Sequence, residues 1–236
     1  SVSFIRVNTL TANSLSTFSA SVDSAEPFLV GVARSSAGFQ LDSGGNLLPN
    51  LTAHWRLEEA SGTRIDATGR GNNLTDNNTV TQALGRVDSA GQFVRVNSEN
   101  LSLADNADMS TGDIDFAFSV WFYLDVQPPT GAARVLVNKG DAGADASEYY
   151  LAAERNGANT ETNLRFLVKT GALTSTVVLS TATWYFVVAW HDSVNNQLRI
   201  QVNNGTVESA GFAGGPLDTT CAFLIGAGNV SGLGCV

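Results

Sequence analysis

Length, composition and charge limit the function classes open to this chain. It has 236 residues, enough for one large β-sandwich or for a sandwich with a small appendage. A hydrophobic fraction of 43% supplies a packed core and excludes an intrinsically disordered protein. The net charge of -9, with no window of concentrated basic residues, argues against partners such as nucleic acid or an anionic membrane surface.

The sequence contains no segment expected to insert into a membrane and none that defines a compartment. The longest purely apolar run, Trp184–Trp190, is far too short to span a bilayer. The first residues lack the basic and apolar regions of a signal peptide, although Ser1 could follow removal of an initiator Met or an earlier signal cleavage. Cys221 and Cys235 could form a small loop-closing disulfide or remain free thiols.

The first part of the chain differs from the rest. Short strand candidates occur between Phe4 and Leu41, and the flexible turn Ser43–Asn46 closes the segment. We therefore predict an N-terminal arm or small β element over residues 1–48 and a main domain over residues 49–236.

Short β-branched or aromatic runs recur along the main domain, separated by Gly, Asn, Asp and Ser clusters. The strongest, Phe116–Leu124, is apolar on both faces, which predicts a central strand covered on both sides. Trp184–Trp190 and Leu198–Val202 predict a β-hairpin. Further predicted strands are Ala53–Glu58, Gln92–Val96, Leu101–Leu103, Arg134–Asn138, Tyr149–Ala153, Leu164–Lys169, Thr176–Leu179 and Ala222–Ile225. Helix signals are nearly absent, so we predict an all-β, antiparallel sandwich.

From Leu51 onward, the order of motifs resembles one known family. The matching segments are Ala53–Thr63, Asp66 with Gly69–Leu74, Gly85–Val87, Gln92–Phe93, Leu101–Asn106, Ser110–Asp113, Phe116–Phe122, Val137–Asp141, Thr183–Tyr185, Leu198–Asn203 and Phe223–Ala227. They resemble the laminin-G-like (concanavalin A-like) jelly-roll domains common in bacterial secreted proteins and phage structural proteins. The resemblance implies a concanavalin A-like jelly roll.

The sequence departs from this family at its C-terminus, where the family usually adds another strand and a short helical turn. Here the sequence stops at Val236. Either the sequence is a fragment lacking its last strand, or another segment fills that position. Because an open sheet edge exposes unpaired N–H and C=O groups, we expect the N-terminal arm of this chain or of a neighbouring one to pair there.

Two acidic loops are candidate sites for a structural Ca²⁺ ion. Asp66 and Asn72 belong to a loop of carboxylate, amide and backbone oxygens, which are the ligands Ca²⁺ prefers, and the resemblance implies a structural cation there. Asp141 and Asp145 lie in the second loop. The competing interpretation of both loops is a polar turn without a metal.

Catalytic residues are not evident. Glycoside hydrolases of this fold resemble one another in carrying a Glu-x-Asp-x-Glu strand, and the nearest match here, Asp113–Ala117, contains no Glu. His54, expected to face outward, and His191 are the only histidines, and no Gly-x-Ser-x-Gly motif accompanies them. We therefore predict that the protein is not an enzyme.

A sugar site requires an exposed aromatic ring beside polar side chains. The four tryptophans fall within alternating strands and are expected in the core, so the aromatic ligand-binding candidates are Tyr149, Tyr150 and Phe212, which lie nearer loops.

Three functions remain at this stage. The first is a virion structural or surface protein, such as a capsid decoration, fibre or tail component, with other subunits as partners in a homo-oligomer. The alternative is a secreted carbohydrate-binding or adhesion module with glycan partners, and the third is a glycoside hydrolase. The expected location is the virion or the extracellular space.

Overall fold

The computed structural model describes residues 2–3, 33–35, 51–140 and 147–228. These residues form β-strands connected by turns and loops, with one short 3-10 helix at Arg95–Asn97, so the predicted all-β class is confirmed. The strands are β1 (Val2–Ser3), β2 (Ala33–Ser35), β3 (Thr75–Asn77), β4 (Thr81–Leu84), β5 (Ser89–Gln92), β6 (Asn100–Leu103), β7 (Asp115–Tyr123), β8 (Ala133–Gly140), β9 (Ser147–Arg155), β10 (Thr162–Val168), β11 (Gly171–Val178), β12 (Trp184–Asp192), β13 (Gln197–Val202), β14 (Glu208–Gly211) and β15 (Phe223–Ile225).

The strands form two antiparallel sheets. The first has the order β14-β13-β12-β7-β1-β5-β4, with β2 also paired to β7, and the second has the order β11-β10-β9-β8-β15-β6-β3. Non-consecutive neighbours such as β12–β7 and β15–β6 show that the chain crosses repeatedly between the sheets. This is the predicted concanavalin A-like β-sandwich.

The inward faces of the two sheets meet in one apolar core. Alternate residues of β7, including Phe116 and Phe118, point inward and are about 1% exposed. Across the core, the ring of Phe118 lies 4.8 Å from that of Tyr149 on β9. Trp55 stacks on Phe223 of β15 at 5.2 Å. These contacts between residues distant in the sequence hold the two sheets together.

The strongest strand predictions are confirmed. Phe116–Leu124 corresponds to β7, and the predicted hairpin corresponds to β12 and β13, which pair from Val187–Val202 to Asp192–Gln197. Every residue of β12 after Trp184 is buried, as expected for a central strand covered on both faces.

Two strand predictions are wrong. Ala53–Glu58 is not a strand and makes only an isolated bridge between Trp55 and Asp66, because Leu57 has a φ of 57° and the chain turns away. Gln92–Val96 is split between the end of β5 and the 3-10 helix. In Ala53–Glu58 the buried side chains contact the core from irregular backbone, whereas in Gln92–Val96 Phe93 packs on the core and Val96 is 87% exposed.

Two short N-terminal segments join the first sheet. β1 lies between β7 and β5, pairing Val2 with Phe122 on one side and with Gly91 on the other, and β2 pairs with the other end of β7. The remaining strand candidates between Phe4 and Leu41 lie outside the described residues, apart from Ala33. The division into residues 1–48 and 49–236 stays a prediction.

Candidate functional site

A groove of about 1180 Å³ opens at one end of the sandwich, where strands of both sheets begin or end. It lies between the end of β5 and the 3-10 helix, the end of β7, the start of β8 and the turn after β15, and we call it the Arg134 groove. Its lining residues are Asn78, Gln92, Phe93, Val94, Arg95, Val96, Ser98, Glu99, Asn100, Tyr123, Leu124, Asp125, Val126, Ala133, Arg134, Val135, Leu136, Gly226, Ala227 and Gly228.

Phe93 is a half-buried aromatic residue on the lining of this groove. Its ring packs on the core from the segment that follows β5. A Cβ atom on Gly226, which has a φ of +85°, would lie 2.3 Å from Cδ1 of Phe93, so this position requires glycine both for its backbone and for the space that the ring occupies. The turn after β15 is therefore shaped around Phe93.

Tyr123 adds a second aromatic residue at the end of β7. It pairs in register with Trp184, the first residue of β12, and the two half-buried rings lie 5.4 Å apart. Two exposed apolar side chains, Val96 at 87% and Val126 at 61%, stand on the lining of the same groove. Half-buried aromatic residues and exposed aliphatic residues therefore occur together on the lining of the groove.

Two arginines, Arg95 and Arg134, lie on the groove lining. Arg134 is the second residue of β8 and is half-buried, and Arg95 begins the 3-10 helix opposite. Nη1 of Arg134 is shielded from solvent and has no hydrogen-bond partner, and the guanidinium makes no ion pair within the described part of the chain. Burial lowers the pKa of Arg134 below its usual value, and the neighbouring charge of Arg95 lowers this pKa further.

The groove also carries two acidic residues, Glu99 and Asp125, and neither forms an ion pair with these arginines in the described part of the chain. Glu99 accepts hydrogen bonds from the backbone N–H of Val94 at 2.7 Å and from the Asn97 amide at 2.8 Å, so its two oxygens hold the loop around the 3-10 helix. Asp125 is exposed on the groove lining. Gln92 is half-buried, and its side-chain amide makes no hydrogen bond within residues 51–140 and 147–228.

The three aromatic candidates from the sequence lie elsewhere. Tyr149 is fully buried, and its hydroxyl donates to the carbonyl of Met109 at 2.9 Å. Phe212 is 7% exposed and packs edge-on against His191. Burial leaves neither ring a face for a ligand, because both complete the core between the sheets.

Tyr150 points away from the core on β9 and is half-buried. Its hydroxyl donates to Oε1 of Glu154 at 3.3 Å. Burial raises the pKa of Tyr150 above its usual value, and the charge and hydrogen bond of Glu154 raise it further. This ring stays a candidate contact on the outer face of the second sheet, separate from the Arg134 groove.

Asp66 and Asn72 are buried in a fully hydrogen-bonded loop. Oδ1 of Asp66 accepts from the backbone N–H groups of His54 and Thr68, both at 3.0 Å, and Oδ2 accepts from the backbone N–H of Asn72 at 3.2 Å. The Thr68 hydroxyl lies within 2.8 Å of both oxygens. Donors therefore occupy the positions that a Ca²⁺ ion would take at this carboxylate.

The Asn72 side chain also has hydrogen-bond partners at both its nitrogen and its oxygen. Its amide nitrogen donates to the Thr52 carbonyl and to Asp108, and its amide oxygen accepts from Asn106 at 3.2 Å. The described residues contain no group of three or more His, Cys, Asp or Glu side chains that could hold a metal ion. Asp141 and Asp145 lie outside the described residues.

A buried ion pair, Lys139 with Glu148, ties loops together at the opposite end of β8. Both side chains are fully buried, and Nζ of Lys139 lies 2.5 Å from Oε2 of Glu148 and 3.0 Å from Asp105. Glu148 also accepts from the backbone N–H and hydroxyl of Thr111 and of Thr219. The buried Lys139 ammonium has two carboxylate partners, and both oxygens of Glu148 accept hydrogen bonds, so the cluster holds the fold.

The residues considered for catalysis also have structural contacts. His54 is 2% exposed rather than outward-facing, because the segment around it is covered on both sides. His191 is fully buried, with Nδ1 2.9 Å from the Ile114 carbonyl. Asp115 accepts from the backbone N–H and hydroxyl of Ser193.

The tryptophan prediction is half confirmed. Trp55 and Trp190 are buried, whereas Trp121 and Trp184 are only half-buried. Arg86 lies over the Trp121 ring at 5.6 Å, a cation–π contact on the outer face of the first sheet.

Cys221 is disulfide-bonded, which answers the question that the sequence left open for this residue. Cys235 lies outside the described residues. No helix in the described part of the chain has the length and apolar character needed to cross a membrane.

Sequence reasoning did not find the Arg134 groove, because its parts come from five separate segments. Phe93, Arg134 and Gly226 each occur in motifs or predicted strands, but nothing in their spacing brings them together. The available signal was local: a glycine directly after the Phe223–Ile225 strand, in a turn, indicates that a backbone or side chain approaches closely.

Comparison with known proteins defines the class. Residues 88–234 match the family described as the concanavalin A-like lectin/glucanases superfamily, and the chain belongs to this family. The resemblance inferred from the sequence is therefore confirmed.

Solved structures with similarity to this chain include one arabinanase domain. Domain 4 of AbnA, a GH43 extracellular arabinanase from Geobacillus stearothermophilus, was solved in complex with arabinotriose. It has 17% sequence identity and a TM-score of 0.48 over 76% of this chain and 84% of that one. The comparison with curated proteins gave no match.

Proposed function

We propose that the protein is a non-catalytic carbohydrate-binding module that works outside the cell, and that the Arg134 groove is its glycan site. This reverses the order of the functions inferred from the sequence: the comparisons give no support to a virion component, and membership of a family of lectins and glucanases favours the carbohydrate-binding alternative. Since a fold hosts many functions, the site itself must carry the argument.

The observation that carries the proposal is the composition of the groove. A sugar ring has an apolar C–H face and a rim of hydroxyl groups, so it needs an aromatic or aliphatic surface beside hydrogen-bonding side chains. Phe93, Tyr123 and Val96 supply the first, and Gln92 and Arg134 supply donors that are not used within the described fold.

The site favours binding over hydrolysis. A glycosidase needs two carboxyl groups acting on either side of the scissile bond. In the groove, both oxygens of Glu99 accept hydrogen bonds that hold the surrounding loop, which leaves this carboxylate without a role in proton transfer or nucleophilic attack. The disulfide at Cys221 supports an oxidising, extracellular location.

Affinity gel electrophoresis with a panel of neutral and acidic polysaccharides tests the proposal, followed by calorimetry with oligosaccharides of the best one. We expect Tyr123→Ala and Val96→Ser to weaken binding, the former by about tenfold, or about 1.4 kcal/mol. Because Val96 is 87% exposed, its replacement cannot act through misfolding.

Tyr150→Ala is the matched aromatic control, since Tyr150 is also a half-buried strand tyrosine but lies outside the groove. Binding that is lost in Tyr150→Ala and kept in Tyr123→Ala would move the site to the outer face of the second sheet. Absence of binding to every glycan on the panel would overturn the proposed function.

A further inference from the structure

The two arginines of the groove point to a narrower ligand class. We infer that the Arg134 groove selects acidic saccharides, with the anionic group, a carboxylate or a sulfate ester, held between Arg134 and Arg95. This inference rests on the proposed carbohydrate-binding function and goes beyond it by naming the chemical class of the sugar.

The first argument is the state of the Arg134 side chain. A guanidinium offers five N–H donors in a planar fork, and burying such donors without acceptors costs free energy. Nη1 of Arg134 is shielded from solvent without an acceptor, and no hydrogen bond of this guanidinium occurs within the described residues. Because the residue as a whole is only half-buried, an anion in the groove reaches the remaining N–H groups of the fork and supplies the missing charge.

The second argument is the neighbouring charge. Arg95 lies close enough to Arg134 to disfavour its charged form, although an arginine remains protonated at neutral pH. Two like charges therefore face one groove, and neither makes an ion pair within the described part of the chain. An anion between them relieves their repulsion, which a neutral sugar does not.

The third argument is the contrast with the rest of the molecule. The net charge of -9 repels a polyanion, so a preference for acidic glycans must arise at a local site. Phe93 and Tyr123 line the same groove as the arginines, so the sugar ring and its anionic substituent meet the surfaces suited to each within one site.

Two matched pairs of polysaccharides test the inference: polygalacturonate against its carboxyl-reduced form, and dextran sulfate against dextran. We expect wild-type protein to bind at least one acidic member about tenfold more tightly than its neutral partner, and added NaCl to reduce this preference. The first pair reports carboxylate and the second sulfate, so the two sources of negative charge are separated.

Substitutions connect the preference to the groove. Arg134→Gln and Arg95→Gln should each weaken binding of the preferred acidic member by about tenfold and so reduce or abolish its preference over the neutral member. Arg134→Lys should recover only part of the affinity, because an ammonium keeps the charge but loses the planar fork. Arg56→Gln is the control for the change in net charge, since Arg56 is exposed outside the groove.

Equal affinity for the acidic and neutral members of both pairs would overturn the inference and leave the proposed function standing. An acidic preference that survives Arg134→Gln and Arg95→Gln would also overturn it, by placing the anion elsewhere. Wild-type protein that binds neither member of either pair, nor any other glycan, would instead remove the proposed function itself.

Discussion

Two cations on the same strand have opposite environments. Lys139, near the end of β8, is fully buried and contacts Glu148, Asp105 and the Thr219 carbonyl. Arg134, near the start of β8, is half-buried without an ion pair in the described part of the chain. A buried charge with all its partners supplied by the protein stabilises the fold, whereas a partly buried charge without them is suited to a ligand that supplies them.

The largest expected effect on stability is at the Lys139–Glu148 ion pair, near the end of β8. Glu148→Ala leaves the buried Lys139 ammonium without its closest anion and removes the acceptor of the Thr111 and Thr219 N–H groups. We expect the free energy of unfolding to fall by about 3–5 kcal/mol, measured by urea denaturation. Replacing both residues, as Lys139→Met with Glu148→Leu, should recover much of the loss. A loss below about 1 kcal/mol in Glu148→Ala would contradict the assigned structural role.

The loop around Asp66 is a second cluster whose polar groups are hydrogen-bonded, and its disruption should lower stability by a smaller amount. Asp66→Ala removes the acceptor of three backbone N–H groups, those of His54, Thr68 and Asn72. We expect a loss of about 2 kcal/mol in the same assay, because buried N–H groups lose their partners. Asp218→Ala, at an exposed aspartate, is the control and should change stability by less than about 0.5 kcal/mol.

The same loop allows the calcium prediction to be measured directly. Because protein donors fill the acceptor positions of Asp66, we expect EDTA to leave the melting temperature of the wild-type protein unchanged. A clear fall in the melting temperature, restored by added Ca²⁺, would assign a cation to this protein and contradict the expectation.

Tyr150 should affect stability only in alkali. Its pKa is raised in the folded protein, so the folded state keeps a proton that the unfolded state loses. This contribution is fully present below the unfolded tyrosine pKa of about 10 and is lost as the pH rises through the folded value. We expect Tyr150→Phe to flatten the fall in stability above about pH 10, measured by urea denaturation at a series of pH values. An equally steep fall in Tyr150→Phe would contradict the raised pKa.

The smallest expected effect on stability is at Arg134, near the start of β8. Arg134→Gln removes no hydrogen bond found within the described residues and relieves repulsion from Arg95. We expect the free energy of unfolding to change by less than about 0.5 kcal/mol in urea, while binding of an acidic glycan weakens by about tenfold. Destabilisation comparable to that of Glu148→Ala would show that the two cations do not differ as described.

The sequence by itself determined the fold class and the central strands. Phe116–Leu124 is apolar on both faces and Leu198–Val202 alternates, and both segments form strands of the sandwich, so local pattern and tertiary structure agree. The same reasoning failed at Ala53–Glu58, where buried side chains reach the core from backbone that only contacts with distant residues such as Asp66 keep in place.

Only the tertiary structure decided where the polar groups find partners. Glu148 accepts from Thr219, 71 positions away, and Arg134 faces a groove whose other parts come from β5, β7 and the turn after β15. The spacing of residues along a strand indicates which face of the sheet each side chain occupies. Whether a charged side chain forms a structural contact or a binding site depends on neighbours from other parts of the chain, which only the fold brings close. For that reason Tyr149 and Phe212 became core residues, and Arg134 and Phe93, which no motif marked as functional, define the candidate site.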